Sequence, residues 1–441
     1  MPNPYLPGWE YIPDGEPRVF GDRVYIYGSH DTSGSDKFCD YKLKVWSAPI
    51  NNLKHWTCHG TAFRTRADLD HESDTPWTDG ELYAPDVVEK DGKYYLYAYI
   101  FYTKGCVAVS SKPEGPFQLL SQYKLPENSA QVLSEGVIVD PGVLVDDDGR
   151  IYIYWGYQGS YMAELNSGNM YEIIKNTLIP DIIPIDTPHK FFEAISPRKI
   201  GDTYYIIYSP KIGSCLAYAT SKSPIGPFQY RGVIIDNGID YPGGNNHGSI
   251  CNINGQWYIF YHRMTNGTVM SRRGCSERIE ILPDGTIEQV EMTSLGFDES
   301  LSPYEITPAD VACVLKGGCM VTEKNIFTRV ITNIKNGAII GYKYFDFGED
   351  YGSSTMEFSA NIKGMGCKSK LHILIDEYYN TGEEIGCCEV GADDGIIGAV
   401  VKNVTGRHAV YFVIEDSYEG YFKYMFKGRQ LFELISFVFS K

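Results

Sequence analysis

Short runs of alternating apolar and aromatic residues recur along the first three hundred positions, each opened by a turn glycine. Five of them read Arg23-Val-Tyr-Ile-Tyr27, Lys93-Tyr-Tyr-Leu-Tyr97, Arg150-Ile-Tyr-Ile-Tyr154, Thr203-Tyr-Tyr-Ile-Ile207 and Gln256-Trp-Tyr-Ile-Phe260. The middle tyrosines, Tyr25, Tyr95, Tyr152, Tyr205 and Tyr258, are spaced by 70, 57, 53 and 53 residues. Gly21, Gly92, Gly149, Gly201 and Gly255 stand one or two residues ahead of the runs. Such Gly-containing pairs turn a hairpin because Gly tolerates positive φ. A second short run precedes each turn, at 17–20, 87–89, 142–145, 198–200 and 249–253. Each repeat unit therefore begins with a β-hairpin.

A period of this length with several short strands per unit predicts the blades of a five-bladed β-propeller. A lone blade cannot bury both faces, whereas a closed ring of blades buries them and leaves no long open edge. Up to about residue 300 no stretch keeps a 3.6-residue apolar period for four turns, so helix is scarce. A second repeated string, Ser110-Ser-Lys-Pro-Glu-Gly-Pro-Phe117 and Thr220-Ser-Lys-Ser-Pro-Ile-Gly-Pro-Phe228, predicts turns on the outer strands of blades 2 and 4. The pattern fades after a last hairpin at 281–287. From about 316, strands predicted at 338–347, 354–362, 370–376, 396–402, 409–415 and 431–439 alternate with turns, as in a β-sandwich. The expected organisation is all-β, with a propeller over residues 1–300 and a jelly-roll-like sandwich over 316–441.

Each repeat also carries one ionisable residue shortly before its tyrosine. These are Asp14, Asp86, Asp140, Glu193 and His247, lying 11, 9, 12, 12 and 11 residues upstream. The first strand of a propeller blade lines the central channel, so matching positions converge at one end of it. Any single Asp is more often a turn or capping residue; the five-fold register is what suggests a site. Carboxyl groups crowded together cannot all ionise freely, and at least one pKa rises. Glycoside hydrolysis needs that split, with a protonated acid for the leaving oxygen and an ionised base for water. Asp146, Asp147 and Asp148 look like a calcium loop, but their place before Gly149 makes them a hairpin turn.

Charge and composition narrow the partners. A net charge of −17 argues against a nucleic-acid partner. No apolar run approaches the roughly 18 to 20 residues of a membrane-spanning helix. The start, Met-Pro-Asn-Pro-Tyr-Leu-Pro-Gly-Trp9, lacks the charged and apolar regions of a secretion leader. Eleven Cys without a pairing framework suggest reduced thiols and a cytoplasmic location. The 61 aromatic residues, 35 of them Tyr, suit both strands and the stacking of sugar rings.

At these motifs the chain resembles glycoside hydrolase family 43, the five-bladed propeller glycosidases, over about residues 1–300. Pro13-Asp-Gly-Glu-Pro-Arg-Val-Phe20 is similar to the first-blade motif, which implies that Asp14 is the general base. Val139-Asp-Pro-Gly-Val-Leu-Val145 is similar to the third-blade motif, which implies that Asp140 tunes and orients the acid. Phe191-Phe-Glu-Ala-Ile-Ser-Pro197 matches the fourth-blade motif, which implies that Glu193 is the general acid. Gly244-Asn-Asn-His-Gly-Ser249 is similar to the fifth-blade segment; its His247 is then an axial residue near a structural calcium or its water shell. The chemistry itself needs no cofactor. Arg273, with Arg272 as its rival, resembles the family's blade-five arginine that contacts substrate or the modulating Asp. Asp86, in Tyr83-Ala-Pro-Asp86, is read as a substrate-pocket residue, and His30 and Asp31 as part of the pocket floor. Segments 341–348 and 404–412 resemble family 6 carbohydrate-binding modules, whose role here is either bracing and oligomer contact or sugar binding.

The leading expectation is an inverting exo-hydrolase on arabinose- or xylose-containing oligosaccharides. Two alternatives stand beside it, a non-catalytic carbohydrate-binding propeller and a related propeller glycosidase acting on galactosides or fructosides.

Overall fold

The computed structural model describes residues 2–127, 137–379 and 382–441. Blade 1 is built from Glu16–Phe20, Arg23–Tyr27, Lys42–Pro49 and Thr57–Arg64, and blade 2 from Leu82–Lys90, Lys93–Ile100, Cys106–Ser110 and Gln118–Gln122. Blade 3 comprises Gly142–Val145, Ile151–Gly156, Ser160–Leu165 and Ile179–Pro180, and blade 4 comprises Phe191–Ile200, Thr203–Pro210, Cys215–Ser221 and Gln229–Asp236. Blade 5 has three strands, Ser249–Ile253, Gln256–Thr265 and Thr268–Ile279. The blades touch in cyclic order through their innermost strands, and the innermost strand of blade 5 returns to that of blade 1. The chain start runs beside the last strand of blade 5. There Tyr5 N–H donates to the Gly274 carbonyl at 3.3 Å, and the Asn3 side chain accepts from Ser276 N–H at 2.9 Å.

The tyrosine runs are apolar on both faces because both faces are buried. In blade 1, Tyr25 and Tyr27 pack toward blade 2, while Val24 and Ile26 pack toward blade 5. The same division holds around the ring, with one apolar cluster between each pair of neighbours. Fully burying such a side chain contributes about 1.5–3 kcal/mol, and here every blade makes that contribution on two sides. The repeated Gly-Pro-Phe strings form the turns ahead of the outermost strands of blades 2 and 4. Each receives a tyrosine hydroxyl from the preceding blade, Tyr27 on Pro113 O and Tyr154 on Pro224 O, both at 2.7 Å.

Residues 280–306 connect to a two-sheet sandwich. One sheet orders Met320–Asn325, Thr328–Ile334, Phe432–Ser440, Thr355–Gly364 and Gly395–Lys402, with Thr307–Pro308 also paired to Phe432–Ser440. The other orders Val314–Lys316, Ile339–Asp346, Arg407–Asp416, Ser369–Ile375 and Glu383–Val390. Its core is continuous with the cluster between blades 4 and 5, so the two domains share one apolar interior. The sandwich begins at Thr307, earlier than the expected 316. The hairpin of Met320–Asn325 with Thr328–Ile334, the strand Glu383–Val390 and the helix Gly420–Phe426 are additions to the predicted elements.

Candidate active site

The pairing register sorts the innermost strands into levels. Glu16, Asp86, Gly142, Ser196 and Ser249 sit opposite Tyr27, Tyr97, Tyr154, Ile207 and Phe260, which occupy one position of the repeat. Two residues earlier lie Asp14, Ala84, Asp140 and His247. In blade 4 a bulge between Glu193 and Ser196 brings Glu193 to that upper level. Three upper-level residues, Asp14, Asp140 and Ala194, adopt positive φ of 56°, 50° and 66°. Left-handed backbone is uncommon outside glycine and clusters at functional sites.

Asp86 therefore belongs one level too deep for a substrate-pocket residue. Its carboxylate accepts Arg18 Nε at 3.0 Å and Nη2 at 2.6 Å, Val143 N–H at 2.7 Å and its neighbour Val87 N–H at 2.6 Å. Its side chain is 1% exposed, so no oxygen is left for a sugar hydroxyl. The clue was its distance of nine residues from the tyrosine, against eleven or twelve elsewhere. Glu16 shares this level and accepts Arg198 and Ser196 Oγ. Arg18, Arg198 and their carboxylates thus fill the channel below the upper level.

At the upper level, Asp14 receives Arg272 Nη1 at 2.8 Å and Ser29 Oγ at 2.6 Å. Ser29 also accepts Ala84 N–H at 2.8 Å, tying blade 2 to blade 1. Arg272 donates through Nε and Nη2 to Asp31, both at 2.9 Å, and its own N–H reaches the same carboxylate at 2.9 Å. Asp31 is thus committed to Arg272 instead of the pocket floor. His30 is equally occupied, with Nε2 3.0 Å from Glu10 and Nδ1 3.3 Å from Asp40. Arg273 points the other way along the same strand and binds Asp310 at 2.8 Å. Strand alternation sends consecutive side chains to opposite faces, so Arg272 is the arginine of the site and Arg273 belongs to the junction with the sandwich.

His262 and Asn245 were not foreseen. His262 Nδ1 accepts Asp14 N–H at 3.4 Å while Nε2 lies 3.0 Å from the Asn245 carbonyl, an arrangement of the neutral imidazole. Burial and the Arg272 charge lower its pKa to about 3. His247 places Nδ1 3.8 Å from Asp14 and 4.0 Å from Asp140, and burial lowers its pKa as well.

The carboxyl groups are pushed apart in acidity. Burial acts to raise Asp14, but Arg272 and the Ser29 hydroxyl hold it below the ordinary carboxylate range. Burial first, then the Asp14 charge, raises Glu193 to about 7, against the opposing effects of Arg272 and an Asn245 hydrogen bond. Asp140 is raised further by burial, by Glu193 and by Asp14, and it accepts the N–H of Ala194. Asp14 on blade 1 is thus held ionised, while Asp140 on blade 3 and Glu193 on blade 4 are pushed toward the protonated form.

Removing Arg272 would strand two buried carboxylates. The Arg272→Met variant should lose about 3–5 kcal/mol of stability, read as a lower urea midpoint.

Residues 2–287 match the model of the glycosyl hydrolases family 43. The chain belongs to this family. A relative, the xylosidase/arabinosidase of Thermoclostridium stercorarium, is 40% identical over 78% of this chain and 82% of its own length. The β-xylosidase of Xylanibacter ruminicola is 30% identical over 64% of this chain and 97% of its own. Among solved structures, a family 43 β-xylosidase/α-arabinofuranosidase from a compost microbial metagenome, complexed with xylotriose in a calcium-free form, is 29% identical. It aligns with a TM-score of 0.56 over 66% of this chain and 99% of its own. A family 43 arabinoxylan arabinofuranohydrolase from Bacillus subtilis covers 100% of this chain and 97% of its own at 24% identity and a TM-score of 0.55, which extends the likeness of fold through the sandwich. The family 43 chain described here is accordingly a glycoside hydrolase.

Family membership raises the question of calcium at His247. Calcium takes about six to eight oxygen ligands. Near this imidazole stand Asp14 Oδ1 and Asp140 Oδ2, and the first is already held by Arg272. The level below carries two guanidinium groups, which repel a cation. An ion at His247 would therefore take most of its ligands from water.

Proposed function

We propose that this family 43 enzyme is an inverting exo-hydrolase that releases arabinofuranosyl or xylosyl units from xylan-derived oligosaccharides. Glu193 protonates the glycosidic oxygen, and Asp14 takes a proton from the water that attacks the anomeric carbon. The bond from that carbon to the leaving oxygen breaks as the new carbon–oxygen bond forms on the opposite face. Asp14 ends protonated and Glu193 ionised, and exchange with solvent restores both. Asp140 holds the Ala194 N–H and so fixes the backbone beside the acid. The observation that carries this reading is the pairing register that sets Asp14, Asp140 and Glu193 of three blades on one level, with Arg272 bound to Asp14 alone of the three, which agrees with a lowered pKa there and a raised one at Glu193. Exo action is supported by the filled channel, since a sugar entering from above meets the Arg18, Glu16, Asp86 and Arg198 level and stops there.

A panel of nitrophenyl glycosides tests the sugar class. Turnover should be fastest on the α-L-arabinofuranoside or the β-D-xyloside. Preference for a galactoside or fructoside would displace this reading, and no turnover on any would favour a binding propeller.

The pH profile follows from the same two groups. Asp14 works ionised, so kcat/KM should fall only when pH drops through a value below the ordinary carboxylate range. Glu193 works protonated, so kcat/KM should fall again as pH rises through about 7. A profile still rising above pH 8 would contradict the assignment.

A further inference from the structure

The hairpin formed by Met320–Asn325 and Thr328–Ile334 leaves the sandwich and reaches the rim of the active site. Its Glu323 carboxylate accepts the Tyr11 hydroxyl at 2.6 Å and Arg329 Nη2 at 2.8 Å. The Arg329 guanidinium lies 5.8 Å from the Tyr11 ring centre, and Gly8 leaves it room, since a Cβ there would sit 3.2 Å from Nη1. Tyr11 stands three residues before Asp14, and its carbonyl accepts the Asp31 N–H at 3.0 Å. Asp31 in turn clamps Arg272, which binds Asp14.

A second line of contacts ends on the same guanidinium. Asn266, at the tip of the blade 5 hairpin, donates its N–H to Val321 O at 2.7 Å and accepts Glu323 N–H at 2.7 Å. Its Nδ2 reaches Ser33 Oγ at 3.1 Å. Ser33 opens the loop that carries Phe38, whose ring lies 5.2 Å from the Arg272 guanidinium, and Cys39, whose Sγ accepts Arg272 Nη2 at 3.5 Å.

We infer that the sandwich is a working part of the catalytic centre, with Glu323 as a positioning residue that holds Tyr11, and through it the Asp31–Arg272–Asp14 cluster, in the catalytic arrangement. The inference rests on the reading of Asp14 as the general base. Displacement of a catalytic group by about 1 Å can cost 10²-fold in rate, and a site keeps such precision only when its supporting shell is fixed. Glu323 acts on that shell without touching substrate. A purely mechanical brace would lower stability alone. A positioning residue must also change how Asp14 titrates, because a looser Arg272 holds the carboxylate ionised less strongly.

The test compares Tyr11→Phe, Glu323→Ala and Glu323→Gln with a control, Glu433→Gln. Tyr11→Phe removes one hydroxyl and leaves the ring under Arg329, so the fold is little disturbed. Glu433 lies in the same sheet and binds Lys324 and Thr332, whereas the Tyr11 hydroxyl goes to Glu323. Tyr11→Phe and Glu323→Ala should lower kcat about 5- to 20-fold with KM changed less than about twofold, and the acidic limb of kcat/KM should move to higher pH. Glu323→Gln, which still accepts the Tyr11 hydroxyl, should recover most of the loss. The control should lower Tm while leaving kcat and the acidic limb in place. The inference fails if Tyr11→Phe and Glu323→Ala lower Tm yet keep kcat and the acidic limb of the parent enzyme, or if the control moves the limb equally. Activity surviving in Asp14→Asn would instead overturn the assignment of the base, so the two failures are distinguishable.

Discussion

Replacing Glu193 by Ala should slow hydrolysis of an aryl xyloside or arabinofuranoside with a poor leaving group by about 10³- to 10⁴-fold, or roughly 4 to 5.5 kcal/mol of barrier. The loss should shrink sharply for a dinitrophenyl leaving group, which departs without a proton. That dependence separates a general acid from a merely structural carboxyl, whose removal slows all substrates alike. Binding should change little, because the group acts on charge that develops in the transition state. The basic limb near pH 7 should also vanish, since burial and the Asp14 charge push Glu193 up to about 7. Equal losses on poor and activated substrates would place the acid elsewhere.

Asp14→Asn should be the other severe variant, with kcat reduced about 10⁴-fold on poor and activated substrates alike. Water must lose a proton in either case, so leaving-group quality gives no relief. The amide keeps the shape of the side chain and a bond to Ser29, while Arg272 retains Asp31 as its counter-charge. The protein should therefore fold normally. Loss of the Asp14 charge removes one of the influences that raise Glu193, so any residual activity should show its basic limb shifted to lower pH. Steady-state rates on two aryl glycosides, with Tm as the folding control, decide the point.

The ring itself was legible in the sequence because propeller repeats are local. Each tyrosine run and its turn glycine form one hairpin, and five hairpins spaced by 53 to 70 residues specify the architecture. The upper level was legible as well, since Asp14, Asp140, Glu193 and His247 keep nearly one distance from their tyrosines. Asp86 was misread because a difference of two residues along a strand is one full pleat of depth. Arg272 and Arg273 are adjacent, and which of them faces the channel depends on the register of blade 5 against blade 1, set by contacts nearly 260 residues apart. Ser29 and His262 carry no sequence mark, since a serine after a strand and a histidine within one are ordinary features. Their meaning appears only when Asp14 lies between them. The sandwich hairpin around Glu323 escaped for a related reason. Its first strand, Met-Val-Thr-Glu-Lys-Asn, turns polar because Glu323 binds the propeller rim and Lys324 and Asn325 beyond it face solvent instead of an apolar core.

The central claim is that register brings Asp14 and Glu193 from separate blades to opposite sides of one bound sugar. Proton NMR of the first sugar released from an aryl glycoside, recorded before mutarotation, tests it most directly. A water activated by Asp14 attacks from the face away from the leaving group, so the first product should have the inverted anomeric configuration. Initial release of the retained anomer would mean that a carboxylate attacks carbon itself, and the division of labour between these two residues would be wrong.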